Sequence, residues 1–126
     1  MRNNARPTVI CFGDFMNEDL ADKICVPCRG GVPPLRGDDL EKLLQEVPLW
    51  KVEREHHINR EFNFEDFQQA LDFVNRVGAL AEEQGHHPDI FLAWGKADIT
   101  LWTHKIDGLT ESDFIMAAKI DRLSAH

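Results

Sequence analysis

At 126 residues, with 43% hydrophobic and 29% charged side chains, the chain has the size and composition of one folded globular domain and not of a disordered segment. Its 14 Lys and Arg against 22 Asp and Glu leave a formal charge of -8, which disfavours nucleic acids and anionic membranes as partners, because both are bound by clustered cations. No apolar run reaches the roughly 18 residues of a membrane span, and Thr8-Val9-Ile10-Cys11-Phe12 is too short for a signal sequence and runs into Asp14 and Glu18; the expected address is the cytoplasm. There the odd set Cys11, Cys25 and Cys28 is expected as reduced thiols.

Residues 1–21 carry no sustained period and are expected to be a leader, either mobile or folded into a short helical turn, ahead of a single domain over 22–126. From Cys25 to Pro34 the chain is dense in Pro and Gly, which predicts an extended surface loop. Asp38 followed by Glu41 has the pattern of a capping box, and Leu40, Leu43, Leu44 and Val47 recur at helical spacing until Pro48, predicting the first helix. Trp50 and Val52 alternate with charged residues; after a polar turn near Glu55, Ile58, Arg60 and Phe62 alternate with His57, Asn59 and Glu61, predicting a hairpin.

Asn63 with Asp66 reads as the start of a long helix, with Phe62 and Phe67 at staple positions. Its expected stripe is Phe64, Phe67, Leu71, Val74 and Gly78, and its stop is Gly85. Two further strands are predicted, from Ile90 to Trp94 and from Ala97 to His104, around Gly95-Lys96. Alternation in the second sets Ala97, Ile99, Leu101 and Thr103 against Asp98, Thr100, Trp102 and His104. Thr110 with Asp113 forms another capping pattern, Leu109 and Phe114 can staple it, and Phe114, Ala117, Ile120 and Leu123 continue a last helix. The order α-β-β-α-β-β-α implies an α+β fold, a four-stranded antiparallel sheet with three helices packed on one face. Two strand edges and the second sheet face are left for self-association.

Imidazole is the side chain that changes charge near neutral pH without a special environment, which draws attention to His86, His87 and His104. Glu82 lies four residues before His86, on the same face if the helix reaches that far, so it can orient that imidazole. His86 alone could equally cap carbonyls at a helix C-terminus. Paired imidazoles that both became cationic would repel, so one charged and one neutral member coexist, an acid and a base at one pH, which suits elimination of water. Trp94, Trp102 and Phe91 can wall a flat heterocycle or serve as core, and Asp113 can belong to the site or only complete a cap. A metal site is the rival: three histidines can bind zinc, and Cys25 with Cys28 has the spacing of half a zinc site. Against it, adjacent histidines cannot easily aim at one metal, and the cysteine pair lacks a second pair unless His56-His57 supplies it.

The spacing of Glu82, His86-His87-Pro88, Trp94, His104 and Asp113 resembles the signature of the pterin-4a-carbinolamine dehydratase family. Cys25-Val26-Pro27-Cys28, the Gly85-His86-His87-Pro88-Asp89 turn and the Leu101-Trp102-Thr103-His104 strand look like bacterial members, as does the segment from Gly108 to Ala118. The similarity covers roughly residues 22–123. It implies a lyase that dehydrates 4a-hydroxytetrahydrobiopterin, or a related pterin, to the quinonoid dihydropterin. By position His86, His87 and His104 match the family's active-site histidines, Pro88 the turn that aims them, Glu82 and Asp113 the flanking acids, and Trp94 the signature aromatic. The resemblance further implies no metal or other cofactor, a homodimer or homotetramer, and a place in tetrahydropterin recycling beside an aromatic amino acid hydroxylase. Relatives that are partners of a transcription factor or assembly factors leave an interaction role as the alternative.

Overall fold

The structure, a computed structural model, describes residues 19–25 and 32–124. Helix α1 (Gly37–Leu44) is followed by strands β1 (Lys51–Glu53) and β2 (His57–Asn63), helix α2 (Phe67–Gln84), strands β3 (Asp89–Ala93) and β4 (Lys96–Leu101), and helix α3 (Glu111–Ser124). The four strands form one antiparallel sheet in the order β1-β2-β4-β3. This is the expected α+β architecture, with α2 and α3 packed on the face that carries Ile58, Phe62, Ala97, Ile99 and Leu101.

The alternation predicted for the strands holds. Ile58 pairs with Leu101 and Phe62 with Ala97 across β2 and β4, and all four are buried. Arg60 lies on the same inward face, yet its guanidinium finds Asp121 of α3 at 2.5 Å and covers the Phe62 ring at 4.1 Å. A charge at the rim of a core is tolerated when paired and when its stem covers apolar surface. Trp50 reaches the same carboxylate through Nε1 at 2.9 Å, so one Asp121 oxygen ties α3 to β2 and to the residue just before β1.

Several local expectations are corrected. Helix α1 is capped at Arg36 with no side-chain cap bond, so Asp38 falls in its first turn and forms no capping box. The helix also ends at Leu44, ahead of Pro48, where Glu46 and Val47 bond to the carbonyls of Leu43 and Leu44 in tighter turns. Helix α2 starts later than predicted: Asp66, not Asn63, is the cap, its carboxylate accepting from Gln69 N–H at 2.8 Å. The buried stripe is therefore Ala70, Phe73, Val77 and Ala81, while Phe67 is 44% exposed. Phe64 precedes the helix, and its N–H is taken by Gly95 O at 2.8 Å. Gly95 has φ of 68°, and a Cβ there would stand 3.0 Å from Phe64 O, so the β3–β4 turn requires glycine twice over.

Cys25 is buried and belongs to the core, not to a surface loop. The other cysteines, Cys11 and Cys28, with most of the predicted leader and of the Pro/Gly-rich stretch, lie outside the described residues. Leu20–Asp22 form a 3-10 turn that packs on α3 and buries Leu20 and Ala21, so the core reaches into the segment read as leader.

Candidate active site

Helix α2 ends on Gly85, which adopts the left-handed conformation (φ 65°) and sends its N–H back to Ala81 O. His86 N–H is aimed at the same carbonyl, at 3.2 Å. This C-terminal cap closes the helix and turns the next residues out of the helical path. The turn decides which carboxylate each imidazole meets. His86 points back into the fold, its side chain only 14% exposed, and its Nε2 lies 2.6 Å from Oδ1 of the fully buried Asp113. His87 points outward and pairs Nε2 with Glu82 Oε2 at 2.5 Å, with 59% and 78% of the two side chains exposed. The expectation that Glu82 orients His86 is therefore corrected: the left-handed Gly85 breaks the four-residue helical relation, and Glu82 meets His87 instead.

Asp113 is held from several directions. Its Oδ2 accepts from Thr103 Oγ1 at 2.8 Å and from Thr110 N–H at 2.9 Å. The second bond is the reciprocal half of the predicted cap on α3, so Asp113 caps the helix and meets His86 at once. Because a carboxylate only accepts, the Thr103 hydroxyl spends its proton on Asp113, and Thr110 O–H donates across the 2.9 Å contact to Thr103 Oγ1. By the same reasoning His86 carries its proton on Nε2. Its Nδ1 has no hydrogen-bond partner among the described residues.

Strand β4 ends at Leu101, earlier than predicted, and His104 is not a strand residue. Thr103 pairs through both backbone groups with Gly108, at 2.8 and 3.3 Å, and this bridge closes a loop in which His104–Ile106 form a 3-10 turn. His104 is exposed, and its ring stacks on Trp102, with centroids 3.9 Å apart and planes 20° apart. Trp102 N–H makes a long 3.4 Å contact to Asp89 Oδ2, from the residue after Pro88. Asp113 thus binds His86 directly and holds Thr103, the neighbour of His104. The end of α2, the end of β4 and the start of α3 converge on one carboxylate.

A family model described as pterin 4 alpha carbinolamine dehydratase matches residues 33–123. The chain belongs to that family. A Rubrobacter xylanophilus protein named "Putative pterin-4-alpha-carbinolamine dehydratase" is 66% identical over 105 residues, covering 83% of this chain and 98% of its own. Among solved structures, the crystal structure of a transcriptional coactivator/pterin dehydratase from Brucella melitensis is 34% identical with a TM-score of 0.68, covering 72% of this chain and 98% of that one. A pterin dehydratase-like protein identified as a RuBisCO assembly factor in the alpha-carboxysome is 28% identical with a TM-score of 0.53, covering 60% and 88% respectively. Membership of the pterin dehydratase family supports a dehydratase role, and among the described residues no helix is long and apolar enough to cross a membrane.

Within the chain the residues picked out by the dehydratase signature divide into two groups. Glu82, His86, His87, Pro88, His104 and Asp113 gather where α2 gives way to β3 and β4 gives way to α3. Trp94 stands in the β3–β4 turn, 72% exposed, at the opposite end of strands that run five or six residues, on the order of 16 Å at strand rise. Trp102 offers no open ring face toward His104, since the imidazole already lies on it.

Thr103, Thr110 and Asp89 were read from the sequence as strand, cap and turn residues, not as part of the site. The signal for Thr103 was available: a polar residue at an inward position of an alternating strand must find a buried partner. Cys25 lies beside the same carboxylate. Its Sγ approaches Ser112 O at 3.7 Å, and its N–H donates to Gln84 Oε1 at 3.0 Å. Burial pushes its thiol from the ordinary 9.0 up to about 11, with Lys119 opposing and Asp113 adding to the rise. His56 and His57, considered as partners for a cysteine metal site, instead contact each other, Asp107 and Trp102. Among the described residues no group of three or more His, Cys, Asp or Glu side chains is arranged to hold a metal ion.

Proposed function

We propose that this protein dehydrates 4a-hydroxytetrahydrobiopterin, or a closely related 4a-hydroxytetrahydropterin, to the quinonoid dihydropterin. The observation that carries the reading is the buried Asp113 carboxylate, which fixes His86 by one oxygen and the residue before His104 by the other. In the reaction the bond from C4a to oxygen breaks with a proton delivered to the departing hydroxyl, and a ring nitrogen gives up its proton, so water leaves and no net proton is consumed. One of His86 and His104 supplies the first proton and the other accepts the second. His86, protonated on Nε2 toward Asp113, presents Nδ1 as the acceptor and so suits the base. His104, on an exposed turn, suits the acid. His87, exposed beside Glu82, holds the substrate, and Pro88 aims the pair. Trp94 belongs to the substrate-binding set by the family signature alone. The site needs no metal or cofactor for these proton transfers.

Positioned acid and base groups each contribute on the order of 10² to 10⁴ in rate. The test is the decay of 4a-hydroxytetrahydropterin followed by ultraviolet absorbance. Wild type accelerates the decay, and His86→Ala and His104→Ala each lose about 100-fold or more while keeping the wild-type circular dichroism. Unchanged turnover in both variants overturns the assignment.

The reading extends to a cytoplasmic homodimer or homotetramer that recycles the pterin used by an aromatic amino acid hydroxylase; light scattering gives the oligomeric state. The second reading, an interaction or assembly protein on the same fold, draws on the two solved structures named for such roles. No acceleration by folded wild type favours that role.

A further inference from the structure

The His104 ring makes no hydrogen bond or ion pair among the described residues, so the face of Trp102, 3.9 Å away, is what orients it. Trp102 is in turn in ring contact with a second imidazole, His56, with centroids 4.5 Å apart and planes 42° apart. His56 sits in the β1–β2 turn and is tethered at both nitrogens. Its Nε2 lies 2.8 Å from Asp107 Oδ1, and its Nδ1 lies 3.0 Å from His57 Nδ1. A carboxylate only accepts, so the proton of His56 stands on Nε2, and a single proton is shared across the contact with His57.

Both sides of the contact between His56 and Asp107 are delivered by backbone that L residues rarely adopt. Arg54 and Glu55 have φ of 53° and 55°, and the turn they form is closed by His56 N–H on Glu53 O at 2.9 Å, the pattern of a type I′ hairpin turn. Asp107, with φ of 52°, ends the 3-10 turn that begins at His104. Arg54 and Glu55 are neither glycine, asparagine nor aspartate, so their conformations are held at a cost by their surroundings, whereas aspartate at 107 suits the left-handed region. The contact itself is too exposed to add much stability, with 32% and 83% of the side chains accessible. Its geometric effect is specific: it clamps the turn that carries His104 to the turn that carries the second imidazole against Trp102.

We propose that His56, anchored by Asp107, is a positioning residue that holds Trp102 as the platform for His104. The proposal rests on the assignment of His104 to the dehydration step and adds to it a support from the opposite hairpin. Removing the support leaves His104 present but loosely aimed, and small misplacements of a reacting group cost on the order of tenfold or more in rate.

The test joins kinetics to proton NMR of the histidine rings in the full chain, comparing wild type, His56→Ala, Asp107→Ala, Asp107→Asn and Trp102→Ala. In wild type the His104 ring protons are displaced upfield by the indole above them. His56→Ala and Asp107→Ala move them toward the free-imidazole position and lower kcat about tenfold with KM within about twofold, while the His86 signals stay in place. Asp107→Asn keeps an acceptor oxygen and restores both readouts. Trp102→Ala abolishes the displacement outright. The proposal is overturned if the His104 signals stay displaced in His56→Ala or in Asp107→Ala at an unchanged thermal midpoint. Asp107→Ala, altering an exposed side chain, serves if His56→Ala does not fold. If wild type shows no dehydratase activity, the function reading fails, and the ring-current comparison alone decides the positioning role.

Discussion

Two neighbouring histidines meet carboxylates at nearly the same distance, His86 to Asp113 at 2.6 Å and His87 to Glu82 at 2.5 Å, yet the two pairs are physically different objects. The first is enclosed, with Asp113 at 0% exposure and its other oxygen committed to Thr103 and Thr110. The second is open to water on both sides. In water an ion pair gains little beyond what the solvent already gave each charge, whereas a buried carboxylate depends on its partners. Equal distances thus carry unequal consequences: the buried pair fixes geometry, and the exposed pair leaves His87 open to solvent.

The largest effect expected from breaking this contrast is at Asp113. Asp113→Ala strands the Thr103 hydroxyl and the Thr110 N–H and frees His86, and should cost about 3 kcal/mol or more in urea unfolding at unchanged m-value, with turnover falling at least as far as in His86→Ala. A stability loss below about 1 kcal/mol would show that the enclosed network matters no more than a surface pair.

Next comes the thiol beside that carboxylate. The Cys25 proton is held to about 11 in the folded chain against an ordinary 9.0. Between those values the folded state keeps a proton that the unfolded state has released. Stability is therefore full below pH 9 and declines as pH rises through 11, by about 3 kcal/mol at most. Cys25→Ala should flatten that part of the stability profile relative to wild type, measured by urea midpoints at pH 8 and pH 10.5.

On the exposed side, His87→Ala should raise KM about tenfold while leaving the unfolding midpoint within about 0.5 kcal/mol of wild type. The smallest effect is expected at Glu82→Gln, where stability should move by less than about 0.5 kcal/mol and the residual change in KM should vanish at high salt.

The α+β order and the inward set of each strand were legible because alternation and helical spacing are local and strong, as in Ile58, Phe62, Ala97, Ile99 and Leu101. Boundaries were less so. Asn63 and Asp66 both suit a cap, and the choice between them was made by Phe64 N–H bonding Gly95 O, a contact from a distant turn that no local pattern announces. The strand end at His104 failed for the same reason, since the bridge from Thr103 to Gly108 diverts the backbone. At the site, the residue types and their spacing could be read, but the pairing could not. A left-handed Gly85 exchanged the expected partner of His86 for one 27 residues later in the chain. Asp113 was doubly ambiguous because it fills both roles, completing the helix cap and gripping the imidazole.

That separation in sequence has a consequence for the order in which the protein becomes competent. The carboxylate that fixes His86 arrives on α3, the last helix, after both hairpins. Without α3 docked, His86 lacks its anchor, because only that helix brings Asp113 into place. A chain cut before α3 would therefore hold its histidines in sequence without the carboxylate that fixes His86.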